Sequence, residues 1–239
     1  MKFEWHNMKK FLSLLILGAV LLSSCSDQYL VSGSSNVEGL EGRMLYLRVF
    51  KDTSMCVIDS SKVVHGRFKF RGMMDSVMMA SVFLEENSVM PIVLESGDVN
   101  VQIDQNIQSA TGTPLNDSLT SFIQKKSQID ARMEELSRME LKMIMNGMDH
   151  DQVRMELSEP VRELEYENDR LITRFIRSNY NNVLGPGVFM ILTSGLQYPI
   201  LNPQIEEIIS QAPSYFRNHP YVKEYIKAAE SNMEKLRQY

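Results

Sequence analysis

Cysteine is close to absent: Cys25 and Cys56 are the only two in 239 residues. With no CxxC pair, a dithiol redox centre and a zinc knuckle are both excluded. Tryptophan occurs once, at Trp5. No block of like charge stands out and the net charge is -5, which excludes nucleic acid as a main partner, since phosphate binding needs a concentrated basic face. No GxSxG, HExxH, P-loop, GxGxxG or EF-hand pattern is present, so the familiar catalytic and cofactor motifs are missing. Long apolar runs are missing too, apart from one.

That run is Phe11–Leu22, 12 residues, preceded by Lys9 and Lys10. It is shorter than the ~20 residues that span a bilayer and fits the apolar stretch of a secretory signal. Met8 would open a compact signal by itself. The run leads through Ser23 and Ser24 into Cys25, and Leu22-Ser23-Ser24-Cys25 resembles the lipobox of bacterial lipoproteins. That resemblance implies cleavage between Ser24 and Cys25, acylation of the Cys25 thiol, and a lipid bilayer as the first partner. Two or more acyl chains hold firmly where one does not. Ser26, rather than aspartate, after the cysteine implies the outer membrane of the cell envelope. The alternatives are an ordinary secretory signal with an incidental Cys25, and an uncleaved anchor.

The rest of the chain changes period once. Residues 28–42 are polar and rich in Ser and Gly, and read as a flexible tether. Short β-type runs follow: Met44–Phe50, Cys56–Asp59, Ser61–Val64, Met78–Leu84, Met90–Leu94 and Val99–Asp104. Arg67-Phe68-Lys69-Phe70 alternates strictly, which sets both phenylalanines on one face, and Arg71-Gly72 is expected to break it. Pro91 suggests an edge strand. After Gly112-Thr113-Pro114, Asn116 or Asp117 can cap a helix. Leu119, Phe122, Ile129, Met133, Leu136 and Met143 then recur at helical spacing up to Asn146-Gly147. Val153, Leu157, Val161, Leu164, Leu171 and Phe175 form a second such series, with a kink expected near Pro160. Beyond Asn181, prolines divide short helices. The expected fold class is α+β: an antiparallel β-sandwich-like domain, a long helical hairpin, and short C-terminal helices. The expected divisions are 1–24 signal peptide, 25–42 lipidated cysteine and tether, 43–112 β domain, and 113–239 helical region.

Several stretches together resemble the DUF4369 domain of Bacteroidetes proteins. They are Tyr46-Leu47, Asp59-Ser60, Gly66–Gly72, Leu94–Asp98 and Gly112–Asn116, in that order. Asn182–Gly185 and Asn218–Val222 resemble the helical region behind that domain. In that family the module commonly precedes a thioredoxin-like domain, which is expected to begin about where this chain stops. The resemblance implies the accessory half of such a protein and carries no catalytic residue to these positions.

Candidate chemistry is sparse. If Cys25 is acylated, Cys56 has no partner and is expected to be a buried structural cysteine. Met139, Met143, Met145, Met148 and Met155 crowd the hairpin tip around His150, a set that could take copper(I) but is more simply read as filling a helical core. Asp149-His150-Asp151 reads as a polar turn with a helix cap. Glu163, Glu165, Glu167 and Asp169 read as a solvated face. The expectation is a non-enzymatic envelope lipoprotein that needs no cofactor and binds a protein or ligand. The alternative is an accessory component of a thiol–disulfide system, working with a separate thioredoxin-like protein. Copper binding at the hairpin tip is a minor third.

Overall fold

The computed structural model describes residues 27–51, 54–105 and 107–237; the apolar leader, Ser24 and Cys25 lie outside them. Eight strands form two four-stranded sheets. One has the order β4-β1-β7-β8, with β1 Asp27–Ser35, β4 Arg67–Met74, β7 Gly97–Ile103 and β8 Gln108–Thr111. The other has the order β3-β2-β5-β6, with β2 Met44–Lys51, β3 Ser54–Lys62, β5 Met78–Leu84 and β6 Asn87–Leu94. All neighbours are antiparallel except β1 and β7, which run parallel. β6 is an edge strand, as Pro91 required, because proline has no N–H to give a further neighbour.

The expected tether is corrected by β1, which lies in the interior of its sheet. A Ser/Gly-rich segment has little intrinsic strand preference, yet β1 bonds to strands on both sides. Its Tyr29 and Val31 enter the core while Ser32 and Ser34 face solvent. The β domain therefore begins near residue 27 rather than 43. Gly33 has a definite packing role: it stands opposite Phe68, and a Cβ there would fall inside the phenyl ring. Four positions of register away, Tyr29 stands opposite Gly72 with its hydroxyl where a Gly72 Cβ would be. Each aromatic ring thus covers a glycine on the paired strand, the pairing known to rescue glycine in sheets. Gly72 does not break β4, which continues to Met74. Cys56–Asp59 and the start of the expected run Ser61–Val64 are likewise one strand, β3, which ends at Lys62 and has a bulge against β2 opposite Leu47 and Arg48.

The helical region follows the expected order. The hairpin is α1 Pro114–Met145 and α2 His150–Ser178. Arg132 pairs with Glu167 across it, and Gly147 closes α1 at φ 86°. Pro160 lies inside α2, which continues on both sides. Then come α3 Leu184–Ser194, α4 Pro203–Ser210, α5 Ser214–Arg217 and α6 Pro220–Arg237. Pro203 occupies a first-turn position where its missing N–H costs nothing.

Two hydrophobic cores result. One fills the sandwich, with Val31, Leu45, Phe70, Val82, Ile92 and Val99 at its centre. The other gathers around Phe189, whose ring meets Phe216, Tyr221 and Tyr225 edge-on. β6 contributes to both. Met90, Ile92 and Leu94 point into the sandwich, while Val93 points the other way and is fully buried in the helical core.

Candidate functional site

The junction between sandwich and helices rests on a small polar cluster. Thr113 is the N-cap of α1 but makes no side-chain capping bond, so neither Asn116 nor Asp117 is the cap. Glu95, on the turn after β6, reaches across instead: its Oε1 accepts the N–H of Leu115 at 3.0 Å and of Asn116 at 3.2 Å. A carboxylate there meets both the free N–H groups and the positive end of the helix dipole. Asn116 is fully buried. Its Oδ1 accepts from the Val93 N–H at 2.9 Å, and its Nδ2 donates to the Val93 carbonyl at 2.8 Å. Thr120 makes the same two-way pairing with Ala110 of β8. Leu94–Asp98 and Gly112–Asn116 are thus the two halves of one helix seat. The φ of 118° at Gly97 and 100° at Gly112 suits glycine.

The downstream motifs shape the turn from α2 to α3 and the packing of α6 on β2. Gly185 lies so close to the Asn179 carbonyl that a side chain would not fit, and Asn182 Oδ1 accepts from the Leu184 N–H at 2.9 Å. In Asn218–Val222, Val222 is fully buried and Tyr221 stands edge-on to Phe50 of β2, with ring centroids 5.4 Å apart.

Beside this seat lies a cleft of about 750 Å³, between one end of the sandwich and α3 with the α5–α6 turn. Its walls are rich in thioethers: Met73, Met74, Met78 and Met79 from the sandwich, and Met190 from α3. Tyr29, Asp59, Tyr215 and His219 add polar groups. Asp59 Oδ2 accepts the Arg71 N–H at 2.9 Å. Burial, then the nearby Asp59 carboxylate, raises the Tyr29 phenol above its ordinary value. His219 Nδ1 is buried without a hydrogen-bond partner, and burial lowers the imidazole's pKa. Lys51, Arg71, Asp59 and Asp75 set charges of both signs around the methionines, so the cleft suits a mixed ligand with an apolar body and polar ends. A second concavity, about 790 Å³, lies between α2 and α4 and is lined by Arg170, Arg174 and Arg177 among others. Arg177 there is paired with Glu207.

The residues singled out from sequence do not converge on this cleft. Ser24 and Cys25 lie outside the described residues. Cys56 is half-buried on β3 rather than buried, with its Sγ 3.8 Å from Ser54 Oγ: β3 is an edge strand with mostly exposed positions and no fully buried one. At the hairpin tip Met139, Met145 and Met155 are exposed, while Met143 and Met148 are half-buried. Asp149 accepts from the Asp151 N–H at 2.9 Å as the N-cap of α2. Glu163, Glu165, Glu167 and Asp169 are exposed. Sequence reading missed Met73, Met79, Met190, Tyr215 and His219, which come from separate elements and share no period.

A family model, Domain of unknown function (DUF4369), matches residues 29–119. The chain carries a DUF4369 domain. The DUF4369 match starts at Tyr29 in β1, which agrees with the structural boundary rather than with a tether ending at residue 42. It ends at Leu119, so the DUF4369 domain takes in the sandwich and the helix seat formed by Glu95 and Asn116. Searches of curated proteins and of solved structures found no match. Among the described residues, no helix is long and apolar enough to cross a membrane, and no group of three or more His, Cys, Asp or Glu is arranged to hold a metal ion.

Proposed function

We propose that this protein is a lipid-anchored envelope protein, held by Cys25, that works as a non-catalytic binding module through the cleft between its DUF4369 domain and its helices. The cleft carries the binding half of the reading: about 750 Å³ of methionine-rich wall at a junction fixed by buried hydrogen bonds. The sequence Leu22-Ser23-Ser24-Cys25 after the apolar run supports the anchor, and Ser26 supports the outer membrane.

Two measurements test it. Cells expressing the full chain and fed a palmitate analogue should label the protein, and Cys25→Ser should abolish the label. An environment-sensitive naphthalene sulfonate dye should gain fluorescence with the protein, and Met190→Trp, which narrows the cleft, should reduce that gain. Label retained by Cys25→Ser rejects the anchor; dye fluorescence unmoved by Met190→Trp rejects the cleft.

The redox-accessory reading is favoured by one observation, the half-buried position of Cys56. A thiol reachable from solvent can, as thiolate, attack the disulfide of an oxidised thioredoxin-like partner, forming a mixed disulfide as the partner's other cysteine leaves as thiolate. Cys56→Ser would then abolish a mixed disulfide trapped from membranes. Copper at the hairpin tip would show as a tight site in a copper(I) titration, lost with Met145→Leu and Met155→Leu.

A further inference from the structure

The end of the sandwich that carries the cleft is also the end from which the chain leaves toward Cys25. Asp27 opens β1 and stands opposite Met74, and Gln28 stands opposite Met73. Both methionines line the cleft. Only Ser26 separates Asp27 from Cys25, and two residues of fully extended chain reach ~7 Å. An acyl group on Cys25 therefore holds this end close to the bilayer, whatever path the intervening residue takes.

The same end exposes large apolar side chains. Met73 is 67% exposed, and Ile58, Val77 and Tyr215 beside it at the cleft are also exposed, with the exposed charges of Lys51, Arg71 and Asp75 set among them. Scattered single apolar residues need no explanation, but a group of them around one cleft does. They are drawn from β3, β4, the β4–β5 turn and α5, so no one element's periodicity explains them. We infer that this face lies against the bilayer, with Met73, Val77 and Tyr215 entering the interfacial region and the cleft opening toward the lipid. The inference rests on the Cys25 anchor proposed above and adds an orientation to it. Removing Met and Tyr side chains from water at the interface adds affinity that the anchor alone does not supply, and it brings the cleft to membrane-borne molecules.

The test uses the mature, full chain in vesicles of phosphatidylethanolamine and phosphatidylglycerol whose acyl chains carry bromine. Trp5 lies in the segment removed at Cys25 under the anchor reading, so an introduced tryptophan is the sole emitter. Three exposed positions are compared: Met73→Trp, Tyr215→Trp and Val64→Trp. Val64 is exposed just before β4, near the opposite end of the sandwich, and the eight residues of β4 span ~25 Å. The expected result is a blue shift and loss of emission on brominated lipid for Met73→Trp and Tyr215→Trp, with Val64→Trp unchanged. Quenching at none, equal quenching at all three, or quenching at Val64→Trp alone overturns the orientation. A blue shift of Met73→Trp that depends on protein concentration in detergent marks a second copy on this face and also overturns it. Flotation separates the two claims: a chain that fails to float with vesicles removes the anchor and the orientation together. A chain that floats without quenching at Met73→Trp removes the orientation alone.

Discussion

Asn116 grips Val93 by both backbone groups, accepting from its N–H at 2.9 Å and donating to its carbonyl at 2.8 Å. An edge strand has unpaired N–H and C=O groups, and this side chain serves as the missing neighbour at one position of β6. The pair is fully buried, so it joins the sandwich and helical cores where water cannot substitute. Asn116→Ala leaves two buried backbone groups unsatisfied, at about 1–3 kcal/mol each. A loss of about 2–4 kcal/mol is expected, read as a lower urea midpoint at unchanged slope. Asn116→Asp should cost more at neutral pH, because it brings a second carboxylate beside Glu95 and loses the donor.

Gly33→Ala places a methyl group where the Phe68 ring lies. The ring is buried and packs edge-on to Phe70, with centroids 5.7 Å apart, so it cannot move freely. A cost of about 1–3 kcal/mol is expected from overpacking. Phe68→Leu should recover part of that loss when combined with Gly33→Ala, though it destabilises alone. Strict additivity in this double-mutant cycle would show that the two residues do not share space.

His219 makes stability depend on mild acid. Burial holds the folded imidazole below its ordinary 6.5, so between the folded value and 6.5 the unfolded chain binds more protons than the native one. Stability therefore rises with pH in that window. It is fully present above 6.5, falls as pH drops below 6.5, and levels off below the folded value. His219→Gln should flatten this part of a plot of melting temperature between about pH 7 and 5. An unchanged slope would assign the effect to other groups.

Glu41 fixes the turn before β4. Its two carboxylate oxygens accept the N–H groups of His65 and Gly66, each at 2.9 Å, where φ is 51° and 67°. These bonds, Gly66 first and then His65, lower the Glu41 pKa from its ordinary 4.5. The stabilisation is present above 4.5 and lost as pH falls through the folded value. Glu41→Gln should speed amide exchange at His65 and Gly66 at neutral pH, with little effect on the core amides of β1.

The sequence alone determined the α+β order, the hairpin and most strands, because local period carries that information. Alternation at Phe68 and Phe70, helical spacing from Leu119 to Phe175, and Gly147 after the last turn of α1 are all properties of neighbouring residues. Its one large structural error was β1. Tyr29 and Val31 are two apolar residues in a stretch dominated by Ser and Gly, and that stretch becomes a strand only because β4 and β7 supply partners on both sides. Tertiary structure also decided the helix seat, since Glu95 lies 20 residues before Leu115, whose N–H it binds, and local capping rules reach only a few residues. The cleft was the least legible feature. Met73, Met190, Tyr215 and His219 lie far apart in the chain, and packing Val93, Tyr221 and Val222 into one junction is what brings them around a common space.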